Sequence, residues 1–349
     1  MINLDKHIIS SNVSVKDALV KLNELAADAI LFVVDEKNFL IGSLTDGDIR
    51  RGLINDISTN ENILKFIQKN PKYLRKGNED IFKVLSFKEN NYRIIPILNK
   101  DNDEIIKIIN FRKFQSYLPI DAVIMAGGRG QRLKPLTDQT PKPLLKVGDK
   151  PIIEHNINRL INFGIDDIHI SVKYLGEQIV QYFGDGADKG VSIEYVWENE
   201  PLGTIGAMSK ISEFVHNYIL LTNSDLLTDL NYEDFFVDFI EKDADFSIAT
   251  IPYDVNIPYA VLEFEEDRVK NFKEKPTYTY YSNGGIYLMK KEIVDLIPKD
   301  EFFNATDLLE KLINMGKKIV SYPLRGYWLD VGKHEDFIKA QEDIKHLKL

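Results

Sequence analysis

From residue 120 onward, short apolar runs alternate with helix-like stretches, and this alternation restricts the fold more than any other feature of the chain. DAVIMA (121–126), DIHISV (167–172), VSIEYV (191–196), YILLT (218–222) and FSIATIP (246–252) read as strands. Helices are predicted between them, starting near Pro151, Leu175, Thr204 and Asn231, and a proline suits a first helical turn. Strands that alternate with helices form a mostly parallel sheet covered on both faces. Farther on, AVLEFEE, RVKNFKE, NGGIYLM, KIVSYPL and YWLDVG follow one another as strands. The predicted fold class is therefore α/β, with a mixed, mainly parallel sheet and antiparallel additions.

The first third is organised differently, as a weak internal repeat. Ser14 is placed to cap a helix with Asp17 as its box partner, and Ala18, Leu19, Leu22 and Leu25 give that helix an apolar face. ILFVVDE (30–36) and LIGSLT (40–45) read as strands around a turn, and DGDIRRGLI (46–54) as a helix. About sixty-five residues on the order recurs: DIFKVLSF (80–87) helical, YRIIPIL (92–98) and EIIKIIN (104–110) strands, FRKFQSYL (111–118) a short helix. Such a unit buries its apolar face against its own copy. The change of pattern at Leu118-Pro119 divides the chain into 1–118, an α+β pair, and 119–349, the α/β domain.

Composition excludes several function classes. The 349 residues carry 44 Lys and Arg against 54 Asp and Glu, a net charge of −10, with no basic block, so a nucleic-acid partner is not expected. No apolar run reaches eighteen residues, so no membrane span is expected, and the N-terminus lacks a signal-peptide pattern. The absence of cysteine removes disulfides, Cys-ligated zinc and a thiol nucleophile, and fits a cytoplasmic location.

Positive charge is nevertheless concentrated in one place, IMAGGRGQRLKPLTDQTPKP (124–143). Ala126, Gly127, Gly128 and Gly130 follow a strand and free the backbone N–H groups to approach phosphate. The dinucleotide fingerprint fails, because Leu133 stands where a third glycine is needed, and no Walker loop is present. The distinguishing residues are cations: Arg132 just after the glycines, and Lys142 between Pro141 and Pro143, whose rings restrict the backbone. A loop of free N–H groups with a planar guanidinium suits a polyphosphate.

The run G-G-x-G-x-R-L-x-P-L-T followed by P-K-P resembles the signature of sugar-1-phosphate nucleotidyltransferases. The resemblance extends over roughly 120–349 through EPLGT (200–204), TNSDLL (222–227), PYAVLEF (258–264), FKEKP (272–276), SNGGIYL (282–288) and YWLDVGKHEDF (327–337). It implies a Rossmann-like nucleotidyltransferase domain in which a sugar phosphate oxygen attacks the α-phosphorus of a nucleoside triphosphate and pyrophosphate leaves. A sugar phosphate is mostly dianionic at neutral pH, so no general base is required, and catalysis rests on positioning and charge neutralisation. Asp225 and Asp330 are the implied ligands of Mg²⁺, which prefers carboxylate oxygens together with substrate phosphates. Arg132 would hold the triphosphate, Lys142 the reacting centre and Lys275 the sugar phosphate. Leu202, Gly203 and Thr204 belong to the implied nucleotide-binding set, and Ala260, Glu274, Asn283 and Gly284 to the sugar-binding set. The family often has Gly at position 260 and Ala at 284, so these two positions leave the sugar open.

Glu198, six residues before the Thr of LGT, stands where uridylyltransferases of the family often have Gln. A carboxylate only accepts hydrogen bonds; guanine offers two adjacent donors, while uracil offers one flanked by carbonyls. GTP is therefore the expected nucleotide. The implied product is a GDP-sugar: GDP-glucosamine, as in members with a similar N-terminal pair that serve nonulosonic acid synthesis, or alternatively GDP-mannose or GDP-heptose. The stretch FVVDEKNFLIGSLTDGDIRRGL resembles a CBS motif, and such pairs often bind adenine nucleotides. Thr45 and Asp48 would contact phosphate and ribose, whereas the second repeat has Asn110 and Lys113 in those places. A homo-oligomer is expected. The competing class is a nucleotide-sensing regulatory protein with an inactive transferase domain.

Overall fold

The computed structural model describes residues 4–77 and 80–347. The chain divides into two compact units, one of residues 1–119 with 161–165 and one of residues 120–160 with 166–349.

The first unit holds two copies of one topology. Strands Ile8–Ser10, Ile30–Val34 and Leu40–Thr45 form a three-stranded sheet in that order, parallel then antiparallel, and Leu74–Arg75, Ile94–Leu98 and Ile105–Asn110 repeat it. The predicted cap forms: Ser14 and Asp17 close a capping box on helix Val15–Leu25. Thr45 and Asp48, expected as ligand contacts, close another on helix Asp46–Ile54. The copies share a core: Phe32 and Val34 of the first pack with Ile94, Leu98, Ile105 and Ile108 of the second. The helix expected over FRKFQSYL does not form. Asn110 caps a single turn through Arg112, and then the Gln115 and Leu118 N–H groups donate to the carbonyls of Asn162 and Phe163, at 2.6 and 3.1 Å. Those long-range partners replace the i to i−4 bonds that a helix needs.

The second unit is built on a seven-stranded sheet ordered Ser192–Trp197, Asp167–Val172, Ile120–Met125, Tyr218–Asn223, Thr277–Lys290, Phe246–Asn256, Ile319–Pro323. Only Thr277–Lys290 runs antiparallel to the rest. The chain enters at the central strand Ile120–Met125, moves outward through two strands, and returns to Tyr218–Asn223 on the other side. That reversal opens a crevice at the C-terminal ends of the central strands, where ligands bind in open α/β sheets. Helices Ile152–Asn162, Gly176–Phe183, Tyr232–Glu241 and Ala305–Asn314 accompany the sheet. The element predicted near Thr204 is a 3₁₀ turn, Gly206–Lys210, because Ile205 and Gly206 donate their N–H groups to Phe303 instead of opening an α-helix. Among the described residues no helix is long and apolar enough to cross a membrane.

Candidate active site

A cavity of about 410 Å³ opens at this crevice. Its floor is the end of the central strand. Beyond Met125 the loop reaches Gly130, which has φ +60° and whose missing Cβ leaves room for the side chains of Lys142 and Thr137, 2.9 and 3.1 Å from where it would lie. A side chain at position 130 would push Lys142 out of place. Lys142 begins the 3₁₀ turn Lys142–Leu144, with prolines on both sides, and is buried.

The Lys142 ammonium donates a hydrogen bond to the Asp225 carboxylate and lies 3.9 Å from Asp330 Oδ1. The aspartates are brought together by a short antiparallel pair, Leu226–Thr228 with Trp328–Asp330, in which Leu226 faces Asp330; the Val331 N–H closes it on the Asp225 carbonyl at 3.0 Å. One oxygen of each carboxylate, Asp225 Oδ1 and Asp330 Oδ1, is buried with no hydrogen-bond partner. Burial, then the neighbouring Asp225 charge, pushes the Asp330 carboxyl above its ordinary value, and Lys142 and Arg132 oppose the rise. Arg132 is exposed, and its Nη2 lies 3.3 Å from where a Cβ on Gly332 would be. Gly332 therefore admits the guanidinium beside Asp330, a role that nothing in its immediate sequence context announces.

Glu198 is buried in the same cavity wall. Its Oε1 accepts from the Ser171 hydroxyl and its Oε2 from the Leu202 N–H at 3.1 Å. A Cβ on Gly127 would lie 2.7 Å from Glu198 Oε1, so that glycine is required by close approach. Leu202 and Gly203 are held by the segment around Phe303: Gly203 has φ +79°, and Thr204 exchanges hydrogen bonds with Asn304 and Ala305 at 3.2 and 2.9 Å. Gly127, Gly128, Lys142, Glu198, Leu202, Gly203, Thr204 and Asp225 all line the cavity. Ala126, buried beside it, donates its N–H to the Ser171 carbonyl.

The sugar-set residues divide. Gly284 is buried, and its carbonyl accepts from Trp328 Nε1 at 2.8 Å, two residues from Asp330; Asn283 donates to the Tyr287 hydroxyl. Ala260, Glu274 and Lys275 are exposed, flank the paired strands Val261–Glu265 and Arg268–Lys273, and are not among the cavity-lining residues. Conversely, Arg129, Lys173 and Phe302 line the cavity without having been singled out in the sequence. Arg129 lies over the Tyr174 ring at 5.5 Å, and Lys173 donates to the Asn199 carbonyl at 3.1 Å.

Another group of metal-ligating atoms, Asp166, Asp167 and His216, lies at the N-terminal ends of the same strands, away from this cavity. Asp121 is buried there and accepts the His216 and Val215 N–H groups at 2.7 and 3.2 Å.

Residues 121–346 match the nucleotidyl transferase family over their whole span. The chain belongs to that family. Residues 5–55 match the CBS domain. As a nucleotidyl transferase it is 32% identical over 230 residues to the D-glycero-alpha-D-manno-heptose 1-phosphate guanylyltransferase of Aneurinibacillus thermoaerophilus, a match covering 65% of this chain and 99% of the relative. It is 33% identical over 234 residues to the mannose-1-phosphate guanylyltransferase of Mycobacterium tuberculosis, covering 64% of each. The chain thus spans almost all of the first relative and just under two thirds of the second. The crystal structure of HddC from Yersinia pseudotuberculosis complexed with GMP-PN superposes with a TM-score of 0.50 at 27% identity, covering 64% of this chain and 99% of that one. The glycine loop of residues 127–130, Lys142 and the Asp225–Asp330 pair all fall inside the matched span.

Proposed function

We propose that residues 119–349 transfer GMP from GTP to a sugar 1-phosphate, releasing pyrophosphate and forming a GDP-sugar. The observation that carries this reading is the buried Lys142 set against Asp225 and Asp330 on the rim of a cavity that also contains Glu198. The guanylyltransferases among the relatives support guanine, and so does the choice of a carboxylate at position 198.

Two buried carboxylate oxygens without partners fit a hard divalent cation, so Asp225 and Asp330 would hold Mg²⁺. Bound there, the ion supplies positive charge to the phosphate oxygens. The remaining work falls to the chain. Backbone N–H groups of Gly127, Gly128 and Gly130 cradle the triphosphate, and Arg132 neutralises the departing pyrophosphate. Lys142 exchanges its carboxylate partner for the α-phosphate, so its charge is already in place when negative charge builds there. The sugar phosphate oxygen forms the new P–O bond as the bond to pyrophosphate breaks, and the nucleophile needs no proton acceptor. Asn283 and Gly284 line the sugar side; Ala260 and Glu274 are assigned to the sugar and Lys275 to its phosphate, although all three stand outside the cavity lining. The sugar itself is glucosamine, mannose or a heptose.

Residues 1–118 act as a CBS pair with at most one ligand site, Thr45 and Asp48, for an adenine nucleotide. Asp48 favours the alternative of a structural pair, because its carboxylate already accepts from Thr45 N–H and hydroxyl, from Gln68 and from Arg51. Burial alone would raise its pKa, yet these hydrogen bonds hold it below the ordinary value. Calorimetry with AMP, ADP and ATP decides between the two. Pyrophosphate release from GTP with each sugar 1-phosphate tests the transferase reading; no release with any of them would overturn it.

A further inference from the structure

Glu198 answers only part of the guanine edge. Its two oxygens can take the two adjacent donors, N1–H and the 2-amino group, but guanine also carries an acceptor, O6, beside N1–H. A carboxylate alone would also accept from the 6-amino group of adenine, so it separates GTP poorly from ATP. A complete readout needs a donor beside the carboxylate, on the side that O6 occupies.

Lys173 stands in that place. Strands Asp167–Val172 and Ser192–Trp197 are parallel, with Val172 paired to Trp197, so Lys173 and Glu198 are the next residues of each at the C-terminal ends. The Glu198 N–H donates to the Val172 carbonyl at 3.1 Å and holds that register. Gly127 is a common point of reference: a Cβ there would lie 2.7 Å from Glu198 Oε1 and 3.4 Å from the Lys173 Cβ. Oε2 is turned instead to the Leu202 N–H. The carboxylate therefore presents Oε1 on the Lys173 side and Oε2 on the Leu202 side. The Lys173 ammonium lies 3.1 Å from the carbonyl of Asn199, the residue after Glu198. With three N–H donors it can keep that bond and offer another to a ligand. Lys173 and Glu198 both line the cavity.

We propose that Lys173 donates to guanine O6, so that a lysine–glutamate pair reads the base: the ammonium at O6, Oε1 at N1–H and Oε2 at the 2-amino group. This deepens the guanylyl-transfer reading and rests on it. Ser171 and Leu202 occupy one position on each carboxylate oxygen and leave a lone pair on each for the base. Adenine would turn its 6-amino group toward the ammonium, donor against donor, so Lys173 adds a discrimination that Glu198 lacks.

Calorimetry on the full chain, without sugar phosphate, tests this with four triphosphates. GTP and ITP carry O6, and ITP lacks the 2-amino group; the 2-aminopurine nucleotide and ATP lack O6. Lys173→Met should weaken GTP and ITP by roughly 10–100-fold, the effect of losing one hydrogen bond from a charged donor, and leave the other two nearly unchanged. Lys173→Gln, which keeps an N–H donor without the charge, should fall between. Equal weakening of all four nucleotides, the signature of a phosphate contact, would overturn the assignment and leave guanylyl transfer in place. A wild type that binds GTP no better than the 2-aminopurine nucleotide would overturn the guanine reading and this one with it.

Discussion

Lys142 and Asp225, 83 residues apart, are joined by a hydrogen bond between a buried ammonium and a half-buried carboxylate. Neither group is stable there alone, since removing one partner of a buried pair strands the other's charge. Replacing Lys142 by Met keeps the volume and removes the charge. At pH 7 the variant should lose about 1–3 kcal/mol of stability. The Asp330 carboxyl, already raised by burial and the neighbouring Asp225 charge, loses the opposing Lys142 charge in this variant, so the deficit is absent at low pH and appears as pH rises through it. Both tryptophans, Trp197 and Trp328, lie in the second unit, so fluorescence-detected urea unfolding follows this directly. A deficit that does not change with pH would contradict the arrangement.

Glu198 should govern the base. In Glu198→Gln the amide oxygen can accept the Leu202 N–H and the amide nitrogen can donate to Ser171, so the fold is expected to survive. Guanine, however, loses an acceptor. The ratio of kcat/KM for GTP to that for UTP should fall by about 10–100-fold. An unchanged ratio would show that the base is read elsewhere.

Asp121 should make stability depend on pH. Burial pushes its carboxyl up to about 6, against the pull of the His216 and Val215 N–H groups. A raised folded-state value means that the protonated form is favoured in the folded chain. The stabilisation is complete below the unfolded value near 4 and is lost as pH rises through about 6. Relative to Asp121→Asn, the wild type should lose about 3 kcal/mol between pH 4 and pH 7, a shift of roughly two pKa units. Tryptophan fluorescence on urea unfolding at each pH measures it; a flat difference would exclude Asp121 as the titrating group.

The sequence makes local features legible and long-range ones obscure. The strands, the Ser14–Asp17 capping box and the glycine–arginine–lysine loop are each written within a few neighbouring residues. FRKFQSYL misleads because Phe111, Phe114 and Leu118 are spaced as on a helix, while the carbonyls that take its N–H groups come from Asn162 and Phe163. Ser171 beneath Glu198, and Gly332 beside Arg132, are equally invisible, since each depends on a contact 27 or 200 residues away. The family resemblance supplies Asp225 with Asp330, a pairing set by strand register that spacing alone does not give.

Pyrophosphate release from GTP over a panel of sugar 1-phosphates, wild type beside Asp225→Asn, tests the central claim most directly. Asp225→Asn keeps the shape but removes the charge that faces Lys142 and would hold Mg²⁺. The account predicts Mg²⁺-dependent release by the wild type and a loss of at least about 10²–10³-fold in the variant, as when one electrostatic contributor to a reacting centre is removed. Full activity in a folded Asp225→Asn variant would contradict it.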